Sequence, residues 1–260
     1  MIRETFLSGV KMRKLNYKII FLILIFLPAV TSAYELNINF DSAPPPQFQA
    51  NNPANPAYVP TTLSGASGNA YRCLVPSGAS DYYCGMNIYT DQTPLANDVY
   101  LRYYIKFEPT WKFVREFKSV IFEGSGGRSF LNFNPITENS AHLQVLIYPD
   151  QGPWHTPVPD VMVYNDGAWH YVEVRTYRNI ASPSNGRFTV WFDGAQVLDL
   201  NPHNAGNVNV AYMTLGYRNG LANNDMYIQY EEVVVADHYI GPIGAGDTTP
   251  PAAPQGLSVS

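Results

Sequence analysis

The stretch DGAWHYVEVRTYR, Asp166 to Arg178, decides how the chain is read. It opens on a turn pair, Asp166-Gly167, and then alternates without a break. Trp169, Tyr171, Glu173, Arg175 and Tyr177 fall on one parity; His170, Val172, Val174 and Thr176 fall on the other. A period of two is the signature of a β-strand, whose side chains leave opposite faces in turn. One face can lie on an apolar core. The other carries an acid, a base and three aromatics. Such a set suits an active site, a sugar-binding floor or the wet side of a sheet.

The same pattern repeats outward from this strand. DVYLRYYIKFEP sets Tyr100, Arg102, Tyr104 and Lys106 against Leu101, Tyr103, Ile105 and Phe107. YELNINF, FKSVIFEG, HLQVLIYPD, RFTVWFDG, AYMTLGY and DMYIQYEEVVVADHYIG continue it. Turn pairs lie between them, among them Asp166-Gly167, Asn185-Gly186, Asp193-Gly194 and Asn219-Gly220, and such pairs between alternating segments predict hairpins. Only PTWKFVREF (109–117) suggests a short turn of helix, and YPDQGPWHTPVPD reads as a Pro-rich loop. With 19 Tyr, 19 Gly, 21 Pro and only 14% charged residues, the composition favours many short strands over helices. The expectation is an all-β, two-sheet antiparallel sandwich with its apolar faces meeting inside.

The ends carry different signals. Arg13, Lys14 and Lys18, then the apolar run Ile19 to Val30, then TSA, follow the order of a secretory signal peptide cut after Ala33. The run is too short to span a bilayer, for which about 20 apolar residues are needed. The expected product is secreted, extracellular or periplasmic, with no stable membrane insertion after cleavage. Residues 1–33 hold five of the bases and one acid, leaving 11 bases, 20 acids and a net charge of −9. That balance disfavours nucleic acid as a partner. Cys73 and Cys84, a close even pair in an exported chain, read as a disulfide across a hairpin with PSGAS as its turn. From about Pro242 the composition shifts to Gly, Thr and Pro, an extended linker.

Taken together, VYLRYYIKFEPTW, FKSVIF, DGAWHYVEVRTYRN, GRFTVWFDGAQVLDL and MYIQYEEVVVADHYIG resemble the concanavalin A-like lectin/glucanase jelly roll. More narrowly they resemble its polysaccharide-lyase-like and laminin-G-like secreted members. The resemblance covers most of residues 35–241 and implies a jelly-roll domain over 34–243. It also implies a calcium ion tying the first and last strands, with Asp41 and Glu231 as ligands; no cofactor is otherwise required. The tail DTTPPAAPQGLSVS resembles the linker and first strand of a fibronectin type III module, so 244–260 reads as the start of a further module in a longer chain.

By alternation one sheet face gathers Arg102, Tyr104, Lys106, Lys118, Gln144, Tyr148, Glu173, Arg175 and Trp191. Aromatic rings stack on sugar C–H faces while Arg, Gln and Glu bond hydroxyls or carboxylates. The bland alternative is a solvated face held by cross-strand pairs such as Glu173–Arg175. Lyase chemistry on a uronate needs a group that neutralises the carboxylate, a base for the C5 proton and an acid for the leaving oxygen. Arg102, Gln144, Tyr148 and Arg175 are the candidates. Jelly-roll alginate lyases that the chain resembles use a Gln-x-His strand and a Tyr strand with a Lys. Here Leu146 stands where that His would be, and YMTLGYRNG lacks the Lys. The spaced carboxylates of retaining glucanases are absent, and the five His are scattered. The sequence therefore reads first as a secreted carbohydrate-binding module acting on extracellular or cell-wall polysaccharide, leaning away from catalysis. A polysaccharide lyase is the alternative, and a non-catalytic adhesion or structural module the third.

Overall fold

The structure, a computed structural model, describes residues 34–41, 48–50, 56–79, 82–89, 98–124, 127–148, 154–178, 185–203, 212–218 and 222–244. The expected signal segment and the 245–260 part of the tail lie outside these residues. In chain order the strands are β1 (Glu35–Ile38), β2 (Phe48–Ala50), β3 (Pro56–Pro60), β4 (Asn69–Val75), β5 (Tyr82–Tyr89), β6 (Asp98–Phe107), β7 (Phe117–Gly124) and β8 (Gly127–Thr137). They continue with β9 (Ser140–Tyr148), β10 (Trp154–Tyr164), β11 (Trp169–Tyr177), β12 (Gly186–Phe192), β13 (Ala195–His203), β14 (Tyr212–Arg218) and β15 (Met226–Ala236). No described residue is helical.

The strands make two antiparallel sheets, the jelly-roll sandwich that the alternation predicts. The larger has the order β13-β12-β11-β6-β15-β4-β3, with β1 also on β15; the smaller runs β10-β9-β8-β7-β14-β5-β2. Their inner faces share one core. Val99, Leu101, Tyr103, Ile105 and Phe107 on β6, Val172 and Val174 on β11, and Ile228, Tyr230, Val233 and Val235 on β15 meet Val120, Phe122, Leu131, Phe133, Leu143, Val145, Met213 and Leu215 of the smaller sheet. These residues are mostly β-branched or aromatic, the types that pack well on a pleated surface. Tyr103 and Ser119 hydrogen-bond hydroxyl to hydroxyl across the core at 2.5 Å. This satisfies two buried polar groups that would be costly unpaired.

Four local expectations are corrected. PTWKFVREF forms no helix: Trp111, Phe113 and Phe117 are all buried, clustered around Phe107 with ring centroids 4.9–5.5 Å from it. The 111/113 spacing suits an extended chain and not one helical face. The Pro-rich segment forms β10, an edge strand with a register shift between Val158 and Met162, where proline is tolerated. Asp193-Gly194 is a hairpin, with φ of 47° and 83° as a two-residue primed turn needs. Asp166-Gly167 instead carries the chain from the smaller sheet to the larger. Its turn is held by Ala168 N–H on Asp166 Oδ1 at 2.8 Å and Gly167 N–H on the Phe107 carbonyl at 3.1 Å. Finally, β4 and β5 belong to different sheets, so Cys73 and Cys84 do not flank a hairpin. Cys73 is buried on the inner face of β4; the Cys84 side chain lies outside the described residues.

Phe107 also packs edge-on to Phe133 at 5.3 Å, so Phe107→Ala removes the centre of this aromatic group. Chemical denaturation of the variant is expected to show a loss of about 3–5 kcal/mol. A loss below about 1 kcal/mol would contradict the packing described.

Candidate functional site

The structure divides the expected ligand face. Arg102 and Tyr104 on β6, Glu173 and Arg175 on β11 and Trp191 on β12 do share the outer face of the larger sheet. Glu173 stands opposite both Arg102 and Trp191 in register. Lys118 on β7 and Gln144 on β9 lie in the smaller sheet, on the other side of the sandwich. Tyr148 pairs in register with Arg128 there; its side chain lies outside the described residues.

The larger-sheet group is closed to solvent. The segment Tyr239 to Ile243, just past β15, lies across it. Tyr100, Tyr104, Tyr171, Trp191 and Tyr239 form a buried cluster, with Leu63, Trp169, Ile240 and Ile243 against it. Glu173 is fully buried. It accepts the backbone N–H groups of Ile240 and Gly241, each at 2.9 Å, and the Tyr171 hydroxyl. Burial pushes its carboxyl above the ordinary value, against the pull of those hydrogen bonds and of the Arg102 charge. Arg102 donates to the Gly241 carbonyl at 3.2 Å and to Glu232 at 3.3 Å. The Tyr104 hydroxyl accepts the Ile243 N–H at 2.9 Å. Arg175 forks onto Asp98 at 2.8 and 2.6 Å. Burial raises the tyrosines too, Tyr100 to about 12 and Tyr104 and Tyr171 above their ordinary value. They are poor bases, and the Tyr104 and Tyr171 hydroxyls are occupied. The expected sugar floor is thus a docking face for the chain's own C-terminal segment.

The smaller sheet offers a different outer face. One cross-strand row reads Gln144 (β9), Asn132 (β8) and Lys118 (β7), each opposite the next in register; Tyr217 (β14) pairs in register with Lys118, and its side chain lies outside the described residues. Glu116 ties two members together: Asn132 Nδ2 donates to it at 3.2 Å, and Lys118 Nζ lies 3.7 Å from it. Lys118 also sits 5.4 Å from the Phe130 ring centroid. Asn132 is fully buried and its Oδ1 has no hydrogen-bond partner, a costly state for an amide oxygen unless a ligand or water completes it. The next row is apolar: Ile121, Phe130 and Leu146 form a small buried cluster. Leu146, the residue in place of the expected His, belongs there. His142 lies two residues before Gln144 on β9, opposite Asn134, and shares the face of the polar row by period-two spacing. Sequence reading missed Asn132, Glu116, His142 and Tyr217. The His-x-Gln spacing of β9 was a usable signal; the partnership with Asn132 was not, because it depends on strand pairing.

Asp41 and Glu231, the expected calcium ligands, lie near enough for the charge of Asp41 to act on Glu231. Glu231 is buried, its Oε2 lacks a partner, and burial, then the charges of Glu232 and Asp41, push its carboxyl up to about 8. Asp41 accepts the Asn69 N–H. Gly68, at φ 87°, leaves the room: a Cβ there would fall 1.7 Å from Asp41 Oδ1. An orphaned carboxylate oxygen under the charge of further carboxylates suits a hard cation. Among the described residues no group of three or more His, Cys, Asp or Glu is assembled for a metal, so carbonyls and waters would complete the shell, as calcium accepts.

No known protein family matches the sequence, and no curated protein matches it. Solved structures do. A lysine-and-tyrosine-to-alanine variant of an alginate lyase, in complex with an alginate tetrasaccharide, aligns with a TM-score of 0.59 at 17% identity, over 77% of this chain and 96% of that one. An endo-β-1,4-glucuronan lyase from the fungus Trichoderma reesei gives 0.54 at 16% identity over 79% and 95%. A marine alginate lyase from Aplysia kurodai gives 0.54 at 12% over 80% and 98%. At these identities the likeness is one of fold: the chain has the jelly-roll sandwich of these polysaccharide lyases.

Glu173→Ala would leave two backbone N–H groups and the Tyr171 hydroxyl without their acceptor. Loss of one partner from a buried charged network costs about 3–5 kcal/mol. Hydrogen exchange is expected to show residues 239–244 losing protection well before the strands do. Unchanged protection there would refute the clamp.

Proposed function

We propose that the chain is a polysaccharide lyase that cleaves a uronate polymer by β-elimination on the outer face of the smaller sheet. The row Gln144–Asn132–Lys118 carries this reading, and the lyases that share the fold support it. Gln144 and the Lys118 ammonium face the uronate carboxylate and stabilise the charge that grows on it as the C5 proton leaves. The Asn132 oxygen, buried without a partner, accepts a sugar hydroxyl. Tyr217, opposite Lys118 in register, moves the proton, with His142 one position along the face as the second candidate. The base takes the C5 proton, the C4–oxygen bond breaks, and the leaving oxygen is protonated. The product chain ends in a double bond between C4 and C5. Glu116 acts as a positioning residue by holding Lys118 and Asn132.

The same reading includes export after cleavage at Ala33, a Cys73–Cys84 disulfide and a calcium ion on Asp41 and Glu231. Among the described residues no cysteine is free. With β4 and β5 in opposite sheets, such a disulfide would link the two sheets. The ion would neutralise Glu231 and tie the segment after β1 to β15.

The full chain, incubated with alginate and with glucuronan, is expected to generate the ultraviolet absorbance of the conjugated double bond. Lys118→Ala should slow that signal by about 10²–10⁴-fold, the range for loss of a group acting in proton transfer or charge stabilisation. Arg175→Ala should leave it within about threefold, since a distant group makes no contact with the reacting atoms. Polymer binding with no absorbance would sink the lyase reading in favour of a carbohydrate-binding module. A melting series tests the two staples together. Chelator should lower the Tm of wild type but not of Glu231→Gln, and reductant should lower both. A chelator-insensitive wild type removes the calcium, and a reductant-insensitive one removes the disulfide.

A further inference from the structure

We propose that the larger sheet carries a second glycan subsite, on the opposite side of the sandwich from Lys118, which takes a carboxylated sugar unit. It is a pocket of about 440 Å³ lined by Thr62, Arg72, Lys106, Glu108, Gly167 and Gln229, among others. That volume lies within the ~300–1,000 Å³ usual for small-ligand sites, room for a monosaccharide or disaccharide unit. Its floor is another cross-strand row, Lys106 (β6), Gln229 (β15) and Arg72 (β4), each opposite the next, with Trp169 (β11) opposite Lys106 alongside it. The row lies one step along the strands from the Tyr171–Tyr104 pair that the C-terminal segment covers, and is left open.

The polar groups here are held in place before any ligand arrives. Arg72 forks onto Glu108 at 2.6 and 2.7 Å and lies 3.7 Å over the Tyr227 ring. Gln229 donates to the same carboxylate at 2.7 Å. Thr62 Oγ1 accepts both Lys106 Nζ, at 3.2 Å, and the Trp169 indole N–H, at 3.0 Å. Lys106 stands 5.0 Å over that indole. An ammonium has three donors, and Lys106 has no carboxylate hydrogen-bonded to it. Burial lowers its pKa, opposed by the Glu108 charge. Two cations and one carboxylate leave the pocket positive on a chain otherwise strongly acidic. A carboxylate completes it, with Gln229 and Thr62 as further polar partners for a sugar unit. The choice of a uronate over other carboxylates rests on the lyase reading; the charge and shape do not.

The test uses full-length Lys118→Ala protein and follows the Trp169 indole and Gln229 amide resonances by NMR. Alginate tetrasaccharide is the probe, glucuronate the single-unit probe and cellotetraose the neutral control. The tetrasaccharide should shift both resonances, and cellotetraose should not. Lys106→Ala and, on the exposed turn, Thr62→Glu should each weaken the response at least tenfold. Response to glucuronate alone supports a single-unit subsite. No shift with either uronate, an equal shift with cellotetraose, or a response that survives both substitutions would overturn the subsite. Cleavage without pocket shifts would remove this inference and leave the lyase standing; pocket shifts without cleavage by wild type would do the reverse.

Discussion

The carboxylate of Glu173 holds the outer architecture of the larger sheet. Taking a carboxylate out of water is expensive, and here the cost is offset by two backbone N–H groups and a phenol hydroxyl converging on it. Those two N–H groups belong to Ile240 and Gly241, so the clamp fixes the chain just after its last strand. Further contacts of the segment follow from that anchor: Tyr104 on the Ile243 N–H, Arg102 on the Gly241 carbonyl, and Tyr239 5.1 Å from Trp191. A group that resembles a substrate floor is thereby committed to holding the protein's own chain.

With that face closed, the proposed chemistry falls to the smaller sheet. There the polar row is flanked by an apolar strip and tied by Glu116, and a buried amide oxygen on Asn132 waits for a partner. Structural rows tend to satisfy themselves internally, as Arg175–Asp98 and Arg187–Asp199 do on the larger sheet. The Lys106–Gln229–Arg72 row lies between these extremes. It is internally bonded at Glu108 yet keeps a net positive charge toward an open pocket. On the proposed reading, such local positive sites in an acidic protein would be where an acidic polymer is held against the general repulsion.

Much of the fold was legible because it rests on local chemistry. The alternation of β6 and β11 and the Asp193-Gly194 hairpin are each written in a few neighbouring residues. The failures share a cause. Asp166-Gly167 has hairpin chemistry, but the strand after it pairs with β6 and not with β10. Cys73 and Cys84 are close in sequence but sit on strands that cross between sheets. Trp111 and Phe113 sit in a segment with helical character but are drawn extended by the aromatic core around Phe107.

The sequence by itself determined which residues of each strand share a face, since parity follows from the pleat of a single strand. It also determined that the faces would be half apolar and so would stack as a sandwich. Only the tertiary structure decided which strands share a sheet, because that depends on hydrogen bonds between segments far apart in the chain. Lys118 and Gln144 carry the same local signature as Arg102 and Glu173, yet strand pairing puts them on opposite sides of the molecule. It also put Tyr239 to Ile243 over one side and left the other to Lys118, since burial of an outer face depends on where a distant segment comes to rest.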